Sequence, residues 1–227
     1  MTIFVSAVGG GTPTGVAGVY DYNSLKQAIQ DWFARSDLGG WIDYFIQLAE
    51  ADIYRDIFTI NQGKGVQAIE SALNTTTIGA GTPLPTGYLG MKIMLVSVDG
   101  NTYEVERKTS EFIYTQFPSQ AGGGVPQYFA RLGSNFVFGP YPDSAYTLTG
   151  TYWMKSPQLT TVNSVTWMTN LIPTVLLAAC MKYAARFNKD AEGVQMWDGI
   201  YQDGLTKFVL ADKAEEQSGS ALAMVAA

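Results

Sequence analysis

The sequence predicts an α+β protein in which a helical hairpin and two C-terminal helices form an α-helical bundle, with a small antiparallel β-region inserted between them. The period of the apolar residues supports this prediction. It is helical over residues 21–64 and 165–214, and it changes to short β-type runs over residues 65–164. The chain ends are an extended N-terminal arm, residues 1–20, and a flexible C-terminal docking tail, residues 215–227. We therefore expect a helical bundle domain with an inserted β-rich domain.

Composition restricts the possible functions. Hydrophobic residues make up 47% of the chain and charged residues 15%, which excludes disorder throughout and favours apolar surface that contacts other subunits. The net charge is −6, and the densest basic run is Arg107-Lys108, so tight binding of DNA or RNA is not expected. No secretory signal is recognisable, and the longest apolar run, residues 175–181, is far shorter than the roughly 20 residues that cross a bilayer. We expect a protein that is cytosolic at synthesis and has no membrane partner.

The first helix is predicted from its capping pattern. Ser24 as the N-cap and Gln27 three residues later fit a capping box. One apolar face then follows at helical spacing, formed by Leu25, Ile29, Trp32 and Phe33. The run Asp37-Leu38-Gly39-Gly40 ends this helix.

A second helix is expected over residues 41–56, and the short loop before it predicts an antiparallel helical hairpin. Its apolar side carries Ile42, Phe45, Ile46, Ala49 and Ile53. The opposite side is expected to present Asp43, Glu50 and Asp52 to solvent.

The β-region is predicted from short β-branched and aromatic runs that glycine and proline separate. Residues 91–98 and 102–106 are expected to form a hairpin around Asp99-Gly100-Asn101. Residues 110–117 predict a short helix that Pro118 ends. Three further strands are expected in the same sheet, over residues 127–132, 135–138 and 145–154.

Two C-terminal helices follow. Pro173 suits the first position of a helix that is apolar nearly all round as far as Phe187, which is typical of a central buried helix. The last helix is expected over residues 191–214. Its glycines at 193, 199 and 204 each cost about 1 kcal/mol relative to alanine, which favours close packing against a neighbour. Its apolar face carries Val194, Trp197, Tyr201, Leu205 and Phe208.

Both chain ends leave two interpretations open. The glycine-rich arm either adds a strand to a neighbouring subunit or has no fixed structure. The tail places Leu222, Met224 and Val225 behind a polar hinge, so it either docks on a partner or frays.

Catalytic motifs are largely absent from the sequence. There is no histidine, which excludes Ser-His-Asp and Cys-His nucleophiles and most zinc sites. Glu104 and Glu106 are expected on one strand face, where exposed strand charges are favoured over an acid–base pair. The run Ala121-Gly122-Gly123-Gly124 lacks the Lys-Ser or Lys-Thr of a phosphate-binding loop. We therefore expect no enzyme activity and no catalytic, cofactor-binding or metal-binding residue.

Two other features have simple structural interpretations. The acids of the second helix, with Asp56, have helical spacing that does not surround a calcium ion, and Cys180 in an apolar run is expected to be a buried small hydrophobic residue. Many aromatic residues lie in the β-region, where packing in a core or interface is favoured over a sugar-binding platform. These are Tyr103, Phe112, Tyr114, Tyr128, Phe129, Phe136, Phe138, Tyr141, Tyr146, Tyr152 and Trp153.

Two stretches of the chain resemble a known family. Residues 22–38, YNSLKQAIQDWFARSDL, are followed by IQLAEADIYRD at 46–56. Residues 167–173, WMTNLIP, lead into the apolar helix, and QMW at 195–197 precedes Tyr201 and the tail. Together they resemble the head-to-tail adaptor, or connector, proteins of short-tailed and related phages. The resemblance extends over nearly the whole chain at the level of layout, and the glycine-rich arm departs from it.

The resemblance implies a structural virion protein at the head–tail junction that is made in the host cytoplasm. It implies a dodecameric ring between the portal protein and the tail nozzle, with the tail residues Leu222, Met224 and Val225 reaching the portal and the β-region meeting the nozzle. DNA would pass through the ring without specific binding, past acidic residues of the channel that would include Asp43, Glu50 and Asp52. Two alternatives remain open: another neck or tail-tube assembly protein, or a glycan- or peptide-binding module that uses the aromatic β-region.

Overall fold

The computed structural model describes residues 18–33, 37–77, 81–118 and 123–218. The protein is α+β, as the sequence predicts, and its chain divides into a helical unit, residues 1–60 and 157–227, and a β-unit, residues 61–156. The described helices are α1 (Tyr22–Phe33), α2 (Ile42–Ile60), α3 (Ser110–Gln116), α4 (Trp167–Leu171), α5 (Pro173–Phe187) and α6 (Ala191–Ser218). The described strands are β1 (Glu70–Thr76), β2 (Thr82–Pro83), β3 (Tyr88–Val98), β4 (Asn101–Glu104), β5 (Glu106–Arg107), β6 (Tyr128–Leu132), β7 (Asn135–Gly139) and β8 (Thr147–Met154).

Helix α5 lies at the centre of the helical unit. It packs against α1, α2, α4 and α6, and Pro173 occupies its first turn, where no amide donor is needed. The prediction of a central buried helix is confirmed. Its buried residues lie all round the helix and include one charged side chain: Val175, Leu176, Ala178, Ala179, Cys180, Met181, Lys182, Ala184 and Ala185.

Helix α1 begins two residues before the predicted N-cap. Asp21 Oδ1 accepts a hydrogen bond from the backbone N–H of Ser24 at 2.7 Å, and Ser24 Oγ accepts one from the N–H of Asp21 at 2.8 Å. These reciprocal bonds form a capping box one turn earlier than predicted. Gln27 instead donates to Asp31 at 2.7 Å along the helix. The assignment of Ser24 as the N-cap is therefore wrong, because Asp21 is an equally good cap and Ser24 serves as its partner.

Helices α1 and α2 meet at their first turns. The Tyr22 hydroxyl donates a hydrogen bond to Asp43, and Lys26 Nζ lies 3.5 Å from Asp43 Oδ1. A simple antiparallel hairpin would instead place the start of α1 beside the end of α2. The predicted hairpin geometry is therefore wrong, because these contacts place the start of α2 beside the start of α1 and not beside its end.

Helix α6 is longer than predicted and extends to Ser218, so the first residues of the predicted tail are helical. Trp197, Tyr201, Leu205 and Val209 are buried, whereas Phe208 is half-buried. The buried stripe follows the predicted face and ends one residue later than the sequence pattern indicated.

Two glycines of α6 differ in their surroundings. A Cβ atom added at Gly204 would lie 2.8 Å from Val175 Cγ2 on α5, whereas one added at Gly199 would have no atom within 4 Å. We expect Gly204→Ala to destabilise the protein by about 1–3 kcal/mol, because the Cβ atom forces α5 and α6 apart. Gly199→Ala should stabilise it by about 1 kcal/mol, because alanine is the better helix former. Urea unfolding of the two variants measures both free energies; destabilisation by both would contradict this account of Gly199.

Within its described residues, the β-unit contains two four-stranded sheets, with strand orders β1-β8-β3-β4 and β2-β7-β6-β5. The pairs are antiparallel apart from β5 and β6, which pair in parallel over two positions. The prediction of an antiparallel β-region is confirmed, whereas the prediction of a single sheet is wrong. Strand β1 was not predicted from sequence, and it is a strand because it pairs with β8 over seven positions. The buried core of this unit includes Leu73, Met94, Val96, Phe136, Phe138 and Leu148.

The predicted hairpin at Asp99-Gly100 is confirmed. Both residues have positive φ, 50° and 80°, as a tight two-residue turn requires, and β3 pairs with β4 on either side. The predicted helix over residues 110–117 is also confirmed as α3, with Thr109 as its N-cap.

Candidate partner-binding surfaces

The three acids of α2 that were predicted to face a channel do not share a solvated face. Asp43 is exposed, with 61% of its side chain accessible. Glu50 and Asp52 are only 4% and 6% exposed. Glu50 accepts a hydrogen bond from the backbone N–H of Leu159 at 3.0 Å. The prediction of a common solvated face is therefore wrong for Glu50 and Asp52, because both carboxylates find partners inside the helical unit.

Asp52 belongs to a buried polar network between α2, α5 and α6. Lys182 on α5 is 4% exposed and lies 3.0 Å from Asp52 and 3.3 Å from Asp198. Its Nζ atom also lies 4.5 Å from the centre of the Tyr201 ring. The Tyr183 hydroxyl donates to Asp52 at 2.6 Å. Lys182 on α5 therefore balances carboxylates from two other helices, the buried Asp52 of α2 and the partly exposed Asp198 of α6.

The same contacts shift several pKa values. Burial raises the pKa of Asp52, but hydrogen bonds from Tyr183 and Lys182 outweigh burial and hold it below the usual value. Burial and the bond to Asp52 raise the pKa of Tyr183 to about 12. Burial and a hydrogen bond of 2.8 Å to Asp56 raise the pKa of Tyr201 well above its ordinary value. These groups keep fixed protonation states at neutral pH, which suits a structural role better than proton transfer.

An exposed group of aromatic side chains, here called the aromatic patch, lies where α2 begins and α5 ends. It consists of Trp41, Tyr44 and Phe187, which are 51%, 53% and 44% exposed. The rings of Trp41 and Phe187 pack with their centres 5.2 Å apart. Exposed tryptophan and tyrosine are typical of the centres of protein interfaces. This patch was not predicted from sequence, because Trp41 lies four residues before Phe45 and so continues the apolar face of α2 in the sequence pattern.

A second exposed apolar surface, here called the α6 stripe, consists of Met196 and Ile200. They lie one helical turn apart and are 53% and 40% exposed. Gly199 lies beside them with open space around its Cα atom. The stripe is apolar, as a surface that packs against another helix requires. The sequence analysis missed it because these residues lie off the periodic face of α6.

The aromatic residues of the β-region are mainly part of its core. Phe129, Phe136, Phe138, Tyr152 and Trp153 are buried. Phe136 is edge-on to both Tyr88 and Phe129, with ring centres 5.3 Å and 5.8 Å apart. Tyr103 and Tyr114 are exposed. Most of the rings are therefore used for internal packing, which is the interpretation that the sequence favoured over a sugar platform.

A groove of about 660 Å³ on the β-unit is lined by Arg107, Lys108 and Arg131, together with Thr109, Ser110, Phe112 and Ala130. Lys108 forms an ion pair of 2.6 Å with Glu106, and Arg131 Nε donates to the carbonyl of Gly133.

The β-unit carries six acidic and six basic residues, whereas the helical unit carries fourteen acidic and eight basic residues. The net charge of −6 therefore comes entirely from the helical unit.

The residues considered for catalysis are not assembled into a site. Glu104 lies in β4 and Glu106 in β5, which belong to different sheets, so the prediction of one shared strand face is wrong. The strand is interrupted at Val105, whose backbone N–H donates a hydrogen bond to the carbonyl of Met94. Cys180 is buried, and burial raises the pKa of its thiol well above the usual value. Across residues 18–33, 37–77, 81–118 and 123–218, no three potential ligands among His, Cys, Asp and Glu could hold a metal ion.

Several residues singled out in the sequence lie outside the described part of the chain. Leu222, Met224 and Val225 lie outside the described residues, as do residues 1–17 of the N-terminal arm. Ala121 and Gly122 of the glycine-rich run also lie outside them, and the backbone N–H of Gly124 donates to the carbonyl of Tyr141 at 2.7 Å.

Comparison with known proteins identifies the family. In the described part of the chain, no helix combines the length and apolar character needed to span a membrane. Comparison with curated proteins gives no match. Residues 20–224 match the family described as SU10 adaptor protein. The match covers residues 20–60 and 157–224 of the helical unit and the whole β-unit, and it includes only the last residue of the N-terminal arm. The chain therefore belongs to the SU10 adaptor protein family, a family of phage head-to-tail adaptors that are structural proteins of the phage neck.

Proposed function

We propose that this adaptor forms a dodecameric ring between the portal protein and the tail nozzle and extends the channel through which DNA leaves the head. The observation that carries the proposal is the presence of two separate exposed apolar surfaces on the helical unit, the aromatic patch and the α6 stripe. A lone subunit gains nothing from exposed Trp41, Tyr44 and Phe187, whereas an assembled ring buries such side chains.

The two surfaces fit a head-to-tail contact between copies. A closed ring repeats one heterologous contact, in which two different surfaces of neighbouring subunits meet. In our proposal the aromatic patch of one copy packs on the α6 stripe of the next. The open space beside Gly199, next to the exposed Met196 and Ile200, leaves room for the Trp41 ring of the neighbour. The contact has an aromatic centre of the kind that carries most of the binding energy in interfaces.

The distribution of charge suits a DNA channel. The excess of acidic residues lies in the helical unit, and Asp43 is the exposed member of the three acids on α2. In our proposal Asp43 faces the channel, where negative charge repels the phosphates and lets DNA pass without binding. Glu50 and Asp52 are given no channel role, since their side chains are buried. The β-unit, whose charges balance, is proposed to meet the tail nozzle.

The C-terminal tail is proposed to dock on the portal through Leu222, Met224 and Val225. We expect Leu222→Asp with Met224→Asp to weaken binding to purified portal rings by at least about tenfold. Each apolar side chain contributes about 1.5–3 kcal/mol on burial, and a charge in its place must be desolvated. Biolayer interferometry with immobilised portal rings measures this loss.

The matched control is Ser220→Asp, which adds a charge to the polar hinge of the same tail. It should leave portal affinity within about twofold of the original. Portal affinity that is unchanged in the Leu222 and Met224 variant, with its melting temperature also unchanged, would contradict the docking role of the tail.

A neck or tail-tube protein at another position would share the apolar surfaces but would not bind the portal. Electron microscopy of the protein mixed with portal rings distinguishes these cases, because a portal-bound ring is expected here. Free portal rings beside separate adaptor assemblies would favour the other neck position.

A further inference from the structure

An apolar groove in the helical unit lies where the described chain begins. It has a volume of about 350 Å³ and is lined by Gly18, Val19, Ala28, Trp32, Pro173, Thr174 and Leu177. None of these described lining residues has a charged side chain. Trp32 is 63% exposed, and its ring meets another aromatic only edge-on, at 5.2 Å from Trp197. The groove therefore presents a large indole surface and aliphatic walls to whatever covers it.

The composition of the N-terminal arm matches this lining. Residues 1–17 contain no charged side chain, and their apolar residues concentrate in Ile3, Phe4, Val5 and Val8. Glycines 9–11 follow and impose little restriction on the direction of the backbone. The arm joins the described chain at Gly18, which itself lines the groove. The family match begins at residue 20, so the arm is an addition of this chain to the matched region.

We infer that the N-terminal arm docks into this groove on its own subunit, with the apolar segment from Ile3 to Val8 covering Trp32. The tether is short, because about ten residues separate this segment from Gly18. A short tether gives an effective concentration in the millimolar range, which favours the subunit's own arm over the arm of a dilute neighbour. The C-terminal tail, whose side chains from Gln217 onward carry no charge, is a weaker candidate, because it leaves from α6 and no α6 residue lines the groove. The docked arm would protect the apolar surface of the subunit before and after assembly.

Disulfide trapping in the full-length protein tests this inference. Phe4→Cys combined with Thr174→Cys places one thiol in the arm and one at the exposed rim of the groove. The native Cys180 is fully buried and does not interfere. Mild oxidation at micromolar protein should give a disulfide within one chain, detected by mass spectrometry and by mobility on a non-reducing gel.

The matched control keeps the same two cysteines and adds Ile3→Ser and Val5→Ser, which leaves the tether length unchanged. Trapping should be about tenfold slower in this control, since random collision depends on the tether and docking depends on the apolar residues. Equal rates in the two proteins would overturn the inference. Disulfide-linked dimers as the main product would overturn docking on the arm's own subunit. Faster trapping by Met224→Cys with Thr174→Cys would assign the groove to the tail instead.

Discussion

Lys182→Met is expected to destabilise the helical unit by roughly 3 kcal/mol. The substitution keeps most of the side-chain volume and removes the charge that lies 3.0 Å from Asp52 and 3.3 Å from Asp198. Removal of one member of a buried ion pair leaves the other charge without full compensation, and such losses reach about 3–5 kcal/mol. The loss in stability is expected at the lower end of this range, because Arg55 still contacts Asp52 at 2.8 Å. Thermal unfolding should show a fall of about 6–12 °C in Tm.

A double-mutant cycle separates the charge from the packing. Asp52→Asn alone should also destabilise the protein, because Lys182 is then buried with less negative charge around it. Asp52→Asn combined with Lys182→Met should cost less than the sum of the single changes, since no unpaired charge of this pair remains buried. Lys207→Met is the matched control: Lys207 pairs with Asp203 at 2.7 Å on the exposed surface of α6. It should change the free energy of unfolding by less than about 1 kcal/mol. Additive single effects would contradict an energetic coupling between Asp52 and Lys182.

The difference in the free energy of unfolding between the original protein and Lys182→Met should depend on pH with a definite sign. The folded protein lowers the pKa of Asp52, so the stability that this carboxylate contributes is present above its unfolded pKa of about 4. It is lost as the pH falls through the lower folded value. The gap in stability between the original protein and Lys182→Met should therefore be full near neutral pH and should narrow below about pH 4. A gap that stays constant into strong acid would show that packing, not charge, causes the loss.

The helices and the β3–β4 hairpin could be predicted from sequence because local patterns determine them. The period of α5 and α6, Pro173 at a first turn and Asp99-Gly100 at a hairpin are all read within a few residues. The pairing of strands could not be read in this way. β1 contains few apolar residues, and β8, with which it pairs, lies far away in sequence. The division into two sheets depends on the break at Val105, which no local signal marks.

The candidate surfaces were predicted less well than the fold. Asp43, Glu50 and Asp52 look alike in sequence, yet Leu159 and Lys182 bury two of them through contacts more than a hundred residues away along the chain. Lys182 within an apolar helix was a usable signal, since a buried lysine requires an acidic partner. The aromatic patch could not be predicted from sequence for a different reason. Whether Trp41 and Phe187 face a core or a partner depends on how α2 and α5 meet, and periodicity does not determine that.

Trp41→Ser is expected to prevent ring formation while leaving the subunit folded. Trp41 is half exposed, and its loss removes the largest ring of the aromatic patch. Tryptophan at the centre of an interface contributes about 2–4 kcal/mol, which corresponds to a loss of roughly thirtyfold or more in the affinity of each contact. A closed ring repeats the contact at every subunit, so the loss multiplies during assembly. Electron microscopy of the variant mixed with portal rings should show empty portals, whereas the original protein should show adaptor-bound ones.

Matched variants connect this loss to the proposed contact. Tyr103→Ser changes an aromatic residue of similar exposure on the β-unit, outside the aromatic patch, and should leave the ring intact. Met196→Ser with Ile200→Ser changes the α6 stripe, the proposed opposite side of the same contact, and should prevent assembly as Trp41→Ser does. Circular dichroism and Tm must show that each subunit remains folded, because Trp41 also packs on Phe187. Normal rings from folded Trp41→Ser protein would exclude the patch as the lateral interface. Loss of rings with the Trp41 variant but not with the stripe variant would place the partner of the patch on another surface of the neighbouring subunit.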